Sequence, residues 1–295
     1  MRNFKLVICS GKGGVGKSML AAGLIILFAK EKRVTGVDCD VDAPNLSIWL
    51  GGVKKWDKTI KVFASLKPEI DYSKCNLCGL CVKNCRFKAL SFLKGKIKLN
   101  PFLCENCGAC EVICPQKAIR LKAFQNGEIR IKKIHKKGSQ EIVLISGSLF
   151  PGETGSGKVV TEIKKQADRF ESDLQIIDSA PGTSCPVIAS LQDADFAVLI
   201  TEPTPSGFSD LKKVLKVVNH FNVPWNLVIN KWDINPSLTQ KIKNWASQKL
   251  LGQISYDKKI IESVSFFRPI LETDLKAKKE IEKIFKRLKC AIQSL

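Results

Sequence analysis

The chain has 295 residues and a formal net charge of +20, because 48 Lys and Arg outnumber 28 Asp and Glu. An apolar content of 44% supports a folded core, and the length allows one large domain or a medium domain with a small one. No apolar run reaches the roughly 18 residues of a membrane-spanning helix, so none is expected. The first four residues lead directly into a predicted strand, so we also expect no signal peptide.

The first predicted element is a strand over residues 4–9, followed by a glycine-rich turn and an apolar helical pattern over residues 19–30. This order is the context of a phosphate-binding loop, in which backbone N–H groups and a helix N-terminus attract phosphate oxygens. Lys17 is expected to reach the β- and γ-phosphates, and the Ser18 hydroxyl to hold Mg²⁺. The predicted nucleotide-binding residues of this loop are Gly11, Gly13, Gly14, Val15, Gly16, Lys17, Ser18 and Met19.

A second lysine, Lys12, gives the loop the form Lys-Gly-Gly-x-Gly-Lys-Ser. This form resembles the deviant Walker A motif of the class that includes MinD, Mrp, ParA and the nitrogenase iron protein. The resemblance implies a mainly parallel α/β sheet of the P-loop NTPase type, with ATP or ADP as ligand and ATP hydrolysis as activity. It also implies a homodimer that sandwiches ATP, in which Lys12 reaches the partner's nucleotide. Lys12 and Lys17 are therefore both expected to be catalytic.

Three aspartates, Asp38, Asp40 and Asp42, follow or end the next predicted strand, residues 33–38. The strand–helix–strand order predicts a right-handed parallel unit, and ligands bind at the carboxyl ends of such strands. The segment resembles switch I of the same class. That resemblance implies that Asp40 orients the attacking water and that Asp38 lies near the Mg²⁺ shell. Acidic residues that cap the following helix are the alternative.

The α/β pattern stops between about residues 61 and 121, where eight cysteines form two runs of Cys-x-x-Cys-x-x-Cys-x-x-x-Cys. The runs align at an offset of 29 residues and have the spacing of bacterial ferredoxins. Because the fourth cysteine of each run ligates the other cluster in two-cluster ferredoxins, we expect two [4Fe-4S] clusters with crossed ligands. The first expected set is Cys75, Cys78, Cys81 and Cys114, and the second is Cys104, Cys107, Cys110 and Cys85. Zinc is the alternative, and the spacing fits it poorly.

The cysteine-rich segment divides the α/β pattern. We therefore predict a P-loop ATPase domain over residues 1–60 and 122–295, interrupted by an inserted small α+β ferredoxin-like domain over residues 61–121. Twelve cysteines beside an ATP site favour the reducing cytoplasm over a disulfide framework.

The positive charge is concentrated in residues 54–137, which hold 20 Lys and Arg against 6 Asp and Glu. Solvated surface lysines are one interpretation, and a docking face for an acidic redox or client protein is the other. Nucleic acid is not favoured, because aromatic and basic residues do not alternate as in a stacking platform.

Residues 152–159 follow a predicted strand over residues 142–146 and have the glycine and lysine spacing of a second phosphate loop. Val159 stands where Mg²⁺ needs a hydroxyl, so we predict a mobile loop near the dimer interface or client site, with a second nucleotide site as the alternative.

A further predicted strand ends at Asp178 and is followed by Gly182. The segment resembles the Walker B and switch II region, which implies that Asp178 lies near Mg²⁺ and that the Gly182 N–H can turn towards a γ-phosphate. Cys185 is predicted to be a buried or half-buried free thiol, with a redox or cluster-handling thiol as the alternative. Three other cysteines are expected to be packing residues: Cys9, Cys39 and Cys290.

The last part of the chain contains the predicted base-binding residues. In the resembled class an asparagine at the end of a strand contacts the adenine, which makes Asn230 the candidate. Residues 252–257 resemble a second adenine-side loop, although Ser255 stands where proline is common. Residues 275–295 are predicted to form a basic amphipathic helix that packs on the sheet. Contact with a membrane, as in related MinD proteins, is the alternative for this helix.

Three functions are compatible with these features. The first is ATP hydrolysis coupled to electron transfer through the two clusters. The second is an ATP-dependent carrier or scaffold for iron–sulfur or metal-cofactor assembly. The third is a redox-sensing positioning protein like MinD, which the cysteine runs disfavour because their ligands handle electrons or iron directly.

Overall fold

The computed structural model describes residues 3–293, and the chain forms two compact units. The sheet unit comprises Met1–Thr59, Ile129–Ser148 and Gly157–Leu295, and the cysteine unit comprises Ile60–Glu128 and Leu149–Ser156. The domain limits derived from the sequence remain predictions. The structure differs from them in assigning residues 60, 122–128 and 149–156 to the cysteine unit.

Thirteen strands occur in the part of the chain that the structure describes. They are β1 (Phe4–Ser10), β2 (Val34–Cys39), β3 (Lys58–Val62), β4 (Ser65–Ile70), β5 (Leu90–Leu93), β6 (Lys96–Leu99), β7 (Ile119–Phe124), β8 (Gly127–Ile134), β9 (Ile142–Leu149), β10 (Leu174–Ser179), β11 (Phe196–Thr201), β12 (Trp225–Asn230) and β13 (Leu250–Ile254).

Nine of these strands form one sheet in the order β13-β12-β11-β1-β10-β2-β9-β8-β3. Every pairing from β13 to β9 is parallel, so the carboxyl ends of seven strands meet at one edge. All residues of β2, β10 and β11 are buried, as expected for parallel strands that helices cover on both faces. The mainly parallel α/β fold predicted from the sequence is confirmed.

The helices among residues 3–293 connect these strands or follow them. They are α1 (Lys17–Phe28), α2 (Leu46–Trp49), α3 (Leu80–Lys83), α4 (Ala109–Val112), α5 (Ser156–Ala167), α6 (Cys185–Leu191), α7 (Pro205–His220), α8 (Pro236–Ala246), α9 (Lys259–Ser265) and α10 (Lys276–Gln293).

Helix α1 is buried on all sides and forms the centre of the sheet unit's core. Its sequence is apolar around the whole helix, which is the pattern of a helix enclosed by protein. The ring of Phe28 meets Phe285 of α10 edge to face at 4.7 Å between centroids. Burial of this helix fixes its N-terminus at the carboxyl edge of the sheet.

Helix α10 carries the basic amphipathic pattern predicted for the C-terminus. Ile281, Ile284 and Leu288 are fully buried in the core, which confirms that the apolar face packs within the protein. Residues 294–295 of the predicted helix lie outside the described residues. Between residues 3 and 293 no helix combines the length and the apolar character needed to span a bilayer.

The cysteine unit contains two short antiparallel pairs, β4 with β7 and β5 with β6. The helices α3 and α4 are each a single turn, and each begins after a glycine in the left-handed conformation. The small core of the cysteine unit contains Cys81, Leu90, Ile97 and Ile119, with other cysteines partly buried around them.

The packing of α10 makes a stability prediction. Ile281→Ala should lower the free energy of unfolding by about 2 to 4 kcal/mol, because the side chain is fully buried and lies against Gly23 of α1. Chemical denaturation measures this change. Lys279→Ala, on the exposed side of the same helix, is the control and should change stability by less than about 0.5 kcal/mol. Equal effects of the two substitutions would contradict the packing of α10.

Candidate functional site

A cavity of about 390 Å³ lies in the sheet unit among the loops that follow the parallel strands. Its wall combines the turn between β1 and α1 with residues that follow β2, β12 and β13. Polar groups from several loops converge on a cavity of ligand-binding size, as in small-molecule sites. The predicted site residues that line it are Gly13, Gly14, Gly16, Lys17, Ser18, Met19, Asp40 and Asn230.

Gly11 and Val15 fix the phosphate loop through contacts with neighbouring elements. A Cβ atom on Gly11 would lie 2.3 Å from the backbone of Asp210, so α7 leaves room only for glycine. Val15 is buried, and its carbonyl oxygen accepts a hydrogen bond of 2.8 Å from Asn230 Nδ2. Gly16 has φ of 91° and caps α1. The loop is therefore fixed by packing as well as by glycine's conformational freedom.

Lys17 forms a buried ion pair with the aspartate at the end of β10. Its Nζ lies 2.6 Å from Asp178 Oδ1 and 4.0 Å from Asp40 Oδ2. Burial alone would lower the pKa of Lys17, but the charge and hydrogen bond of Asp178 hold that pKa above its ordinary value. Lys17 is thus a cation at the position where a phosphate would bind.

The three predicted acidic residues have different surroundings. Asp40 is half-buried and lines the cavity, where burial raises its pKa although Lys17 opposes the shift. Asp38 is fully buried, and its carboxylate accepts hydrogen bonds from the Leu46 N–H at 3.0 Å and the Asp40 N–H at 3.3 Å. Asp38 therefore orders the segment between β2 and α2 through backbone N–H groups, one of them at the first residue of α2.

Asp178 and Ser18 form the part of the site that suits Mg²⁺. Asp178 is fully buried, and its Oδ2 atom has no hydrogen-bond partner in the protein. Because an unpaired buried carboxylate oxygen is unfavourable, this atom fits a role as ligand of a hydrated cation. Ser18 lines the cavity at the start of α1, whereas Asp178 is not part of the cavity wall and meets it through Lys17.

Gly182 lies after β10 in the left-handed conformation, with φ of 89°. Its N–H donates a 2.8 Å hydrogen bond to the carbonyl oxygen of Ser10, immediately before the phosphate loop. The predicted turn of this N–H towards a γ-phosphate therefore requires that it leave Ser10.

Lys12 is held by a residue that the sequence analysis did not single out. Its Nζ lies 2.8 Å from Oε1 of Glu202, and Oε2 of the same carboxylate lies 2.9 Å from Nζ of Lys231. Glu202 directly follows β11 and Lys231 directly follows β12, so both lie at the carboxyl edge of the sheet. That position after a strand is the signal that could have identified them.

The far side of the cavity contains the predicted base-binding residues. Asn230 is buried and braces the phosphate loop, and it also forms part of the cavity wall. Ser255, Tyr256 and Asp257 line the same wall. The backbone and hydroxyl of Ser255 both donate to Glu280 of α10, at 2.8 and 2.9 Å, which fixes this loop without a proline.

Seven of the eight cysteines of the two runs lie near other cysteines within the cysteine unit, and Cys78 is exposed. One small cavity is lined by Cys85, Cys104, Cys107 and Cys110, the second predicted ligand set. From the first set, Cys75 and Cys114 lie near enough to Cys81 to raise its pKa, after the larger effect of burial. Burial is the main cause that raises the pKa of Cys110 to about 11, and the charge of Cys104 adds to this effect.

The backbone repeats at the same offset as the cysteines. The fourth cysteine of each run accepts a hydrogen bond at Sγ, from the Ala89 N–H to Cys85 and from the Ala118 N–H to Cys114, both at 3.3 Å. Positive φ values occur at matching positions in the two runs: Leu77 and Asn106, Gly79 and Gly108, and Lys88 and Lys117. The repeat is therefore present in the backbone conformation as well as in the sequence.

Among residues 3–293, no three His, Cys, Asp or Glu side chains converge on one point as ligands of a single metal ion do. The ligand assignments of the two cysteine sets stay predictions.

The remaining cysteines differ in part from expectation. Cys9 and Cys39 are buried as expected, and burial raises the pKa of each thiol to about 12. Cys290 is exposed, so its assignment as a packing residue is wrong. It lies on α10 away from the buried face. Cys185 is also exposed, at the first residue of α6, so the expectation of a buried or half-buried thiol is wrong too.

The glycine-rich segment of residues 152–159 is a loop only in its first half. Glu153 pairs with Lys67 at 2.5 Å within the cysteine unit, and Thr154 accepts a hydrogen bond from Asn106. Helix α5 begins at Ser156, and Val159 is fully buried. The buried Val159 leaves no hydroxyl for Mg²⁺ at this position.

Comparison with protein families gives a match over most of the chain. Residues 6–270 match the family model described as the CobQ/CobB/MinD/ParA nucleotide binding domain. This range includes the phosphate loop, both aspartate segments, the cysteine runs and Asn230.

Three curated relatives align along nearly the whole chain. The uncharacterized protein MJ0578 of Methanocaldococcus jannaschii is 36% identical over 285 residues, covering 97% of this chain and 96% of its own length. The uncharacterized ATP-binding protein MJ0823 of the same organism is 24% identical and covers 95% of both chains. An iron-sulfur cluster carrier protein of Pyrococcus furiosus is 23% identical, covering 97% of this chain and 85% of its own.

Two solved structures share the fold. The septum site-determining protein MinD from Pyrococcus horikoshii, complexed with Mg-ADP, aligns with a TM-score of 0.61 at 16% identity, covering 98% of this chain and 97% of its own. The MinC:MinD cell division complex of Aquifex aeolicus gives 0.61 at 17% identity, covering 97% and 96%.

The packing behind the phosphate loop can be tested without nucleotide. Gly11→Ala should lower the free energy of unfolding by about 2 kcal/mol or more, because the added methyl group overlaps the α7 backbone. Gly13→Ala is the matched control, since its nearest neighbour is a Pro181 atom at 3.9 Å. Thermal unfolding of the two variants compares them. A Gly11→Ala variant as stable as Gly13→Ala would contradict the contact with α7.

Proposed function

The chain belongs to the CobQ/CobB/MinD/ParA nucleotide-binding family, and on that premise we propose that it is an ATPase carrying two [4Fe-4S] clusters. In this proposal a homodimer couples ATP hydrolysis to electron transfer through the clusters. The observation that carries it is the presence, in one chain, of a two-lysine phosphate loop around a cavity and a repeated cysteine turn.

The proposed hydrolysis uses residues that line the cavity, together with Asp178, which pairs with the cavity residue Lys17. Phosphate oxygens would draw Lys17 from Asp178, because one anion replaces another beside the same cation. Ser18 and the freed carboxylate of Asp178 would hold Mg²⁺, directly or through water. When bound, Mg²⁺ neutralises charge on the β- and γ-phosphate oxygens. Asp40 would orient the attacking water from the cavity wall.

Lys12 would complete the site of the other subunit. The Lys12 side chain is one-third exposed, so its ammonium group can move away from Glu202. A cation that approaches the transferring phosphoryl group from a second subunit stabilises the developing charge and makes hydrolysis depend on dimer closure. Of the solved structures that share this fold, one is a MinC:MinD complex and one is MinD complexed with Mg-ADP.

The cysteine unit supports the cluster proposal through its chemistry. Thiolates of the first set would be Cys75, Cys78, Cys81 and Cys114, and those of the second would be Cys104, Cys107, Cys110 and Cys85. Backbone N–H groups directed at Cys85 and Cys114 would stabilise their thiolate forms. When bound, each cluster exchanges one electron, and such hydrogen bonds to sulfur tune its potential.

Cluster carriage is the second candidate. It is favoured by the exposed Cys185 and by the likeness to the Pyrococcus furiosus iron-sulfur cluster carrier protein. In this alternative ATP would control the release of a labile cluster rather than the movement of electrons.

The partner and compartment follow from charge and cysteine chemistry. Residues 54–137 carry 20 Lys and Arg against 6 Asp and Glu, so we propose an acidic redox or client protein as partner. The many reduced thiols suit the cytoplasm.

Lys12→Ala tests the proposed dimer. The variant should bind ATP nearly as well as the wild type but hydrolyse it about 10²- to 10³-fold more slowly, because a transition-state cation is lost. Steady-state ATPase assays and nucleotide titration measure the two properties. Lys17→Ala should lose ATP binding, and the exposed Lys165→Ala should change neither. Normal hydrolysis by Lys12→Ala would refute the trans role of this lysine.

Iron content tests the clusters and their crossed ligands. Anaerobically purified protein should contain about eight iron atoms per chain and no stoichiometric zinc. Cys85→Ala with Cys107→Ala removes two ligands of one cluster and should leave about four iron atoms. Cys85→Ala with Cys78→Ala affects both clusters and should leave almost none, while the exposed Cys290→Ala keeps all eight. The reverse order of the two double variants would show that each run binds its own cluster.

A further inference from the structure

Glu202 is the one acidic side chain that contacts Lys12 in the described structure, and its position is tightly fixed. It is 7% exposed, between the end of β11 and the start of α7. Its carbonyl oxygen accepts a hydrogen bond from the Thr204 N–H at 2.8 Å, and a Cβ on Gly207 would lie 2.6 Å from that oxygen. The backbone of Glu202 is therefore fixed, and its buried side chain has little room to follow Lys12 if the lysine moves.

Each carboxylate oxygen of Glu202 faces a different lysine. Lys12 belongs to the phosphate loop, and Lys231 follows β12 in the left-handed conformation, with φ of 52°. Lys231 Nζ also donates to the carbonyl oxygen of Gly14 at 3.3 Å. Burial would raise the pKa of Glu202, but hydrogen bonds from Lys12 and Lys231 hold that pKa below its ordinary value. Glu202 is thus an anion shared by two cations.

We propose that Glu202 is a positioning residue that holds Lys12 in the isolated subunit and releases it when two subunits close over ATP. The strength of this hold then sets the ATP concentration at which the dimer forms. The inference rests on the proposed trans role of Lys12 and adds to it a residue that opposes closure.

The second lysine makes the release possible. Removing the partner of a buried charge is strongly unfavourable when nothing replaces it. When Lys12 leaves, Lys231 remains 2.9 Å from the other oxygen of Glu202, so the carboxylate keeps a counter-ion. Lys12 in turn exchanges one carboxylate for the more highly charged phosphates. Lys12 thus moves from the Glu202 carboxylate to the phosphates, and each of these anions still has a cation beside it.

Glu202→Gln tests the hold directly. Glutamine keeps the size of the side chain and a hydrogen-bond acceptor but removes the charge that attracts Lys12. The concentration of Mg-ATP that gives half-maximal dimer, measured by light scattering on a sizing column, should fall about fivefold, as expected for a partly exposed ion pair of about 1 kcal/mol. Glu162→Gln, which removes an exposed ion pair with Lys165 on α5, is the matched control and should leave this concentration unchanged.

A double variant separates a positioning role from a structural one. With Lys12→Ala already present, Glu202→Gln should produce no further change in dimer formation, because the group it holds is gone. Glu202→Asp should give a smaller fall, since the shorter carboxylate cannot reach both lysines. Glu202→Asp also tests the proposal if Glu202→Gln folds poorly. Weakened or unchanged dimer formation in both Glu202 variants would overturn the proposal. If the wild type stays monomeric with Mg-ATP, or Lys12→Ala hydrolyses normally, the proposed function itself fails.

Discussion

The buried ion pair between Lys17 and Asp178 is the interaction on which the site depends. Two charges at the end of the central strands are unfavourable unless each compensates the other, and here they lie 2.6 Å apart. Parallel pairing of β10 with β2 places Asp178 beside Asp38, so two neighbouring strands bring carboxylates together near their carboxyl ends. Before a nucleotide binds, Lys17 is therefore already positioned for its phosphates, and Oδ2 of Asp178 has no hydrogen-bond partner in the protein.

A second group of charged side chains contacts the phosphate loop. Lys12, Glu202 and Lys231 tie the phosphate loop to the ends of β11 and β12. Ion pairs therefore hold the phosphate loop on both sides. In the proposed cycle ATP would replace the anions beside Lys17 and Lys12, while Lys231 stays beside Glu202, and this change gives the nucleotide a way to alter the surface of the subunit.

Much of this site could be predicted because its chemistry is local in sequence. The phosphate loop, Asp40 and the cysteine spacing each lie within a few residues, and the order of strand, turn and helix gives their context. The position of Glu202 and Lys231 after strands could have marked them as candidates, but their ion pairs could not be predicted, because the pairing depends on β11 lying between β1 and β12 in the sheet. The burial of Cys185 and Cys290 was predicted wrongly because it depends on which helix face is packed, and isolated cysteines carry no such signal. The start of α5 at Ser156 was hidden by glycines that resemble a loop.

The central claim is that the nucleotide site and the cysteine unit act together. Electron paramagnetic resonance of the reduced, anaerobically purified protein, recorded during a redox titration with Mg-ATP and with Mg-ADP, tests it most directly. We predict that Mg-ATP shifts the midpoint potential or the signal shape of at least one cluster relative to Mg-ADP. Identical signals and potentials with both nucleotides would contradict ATP-coupled electron transfer.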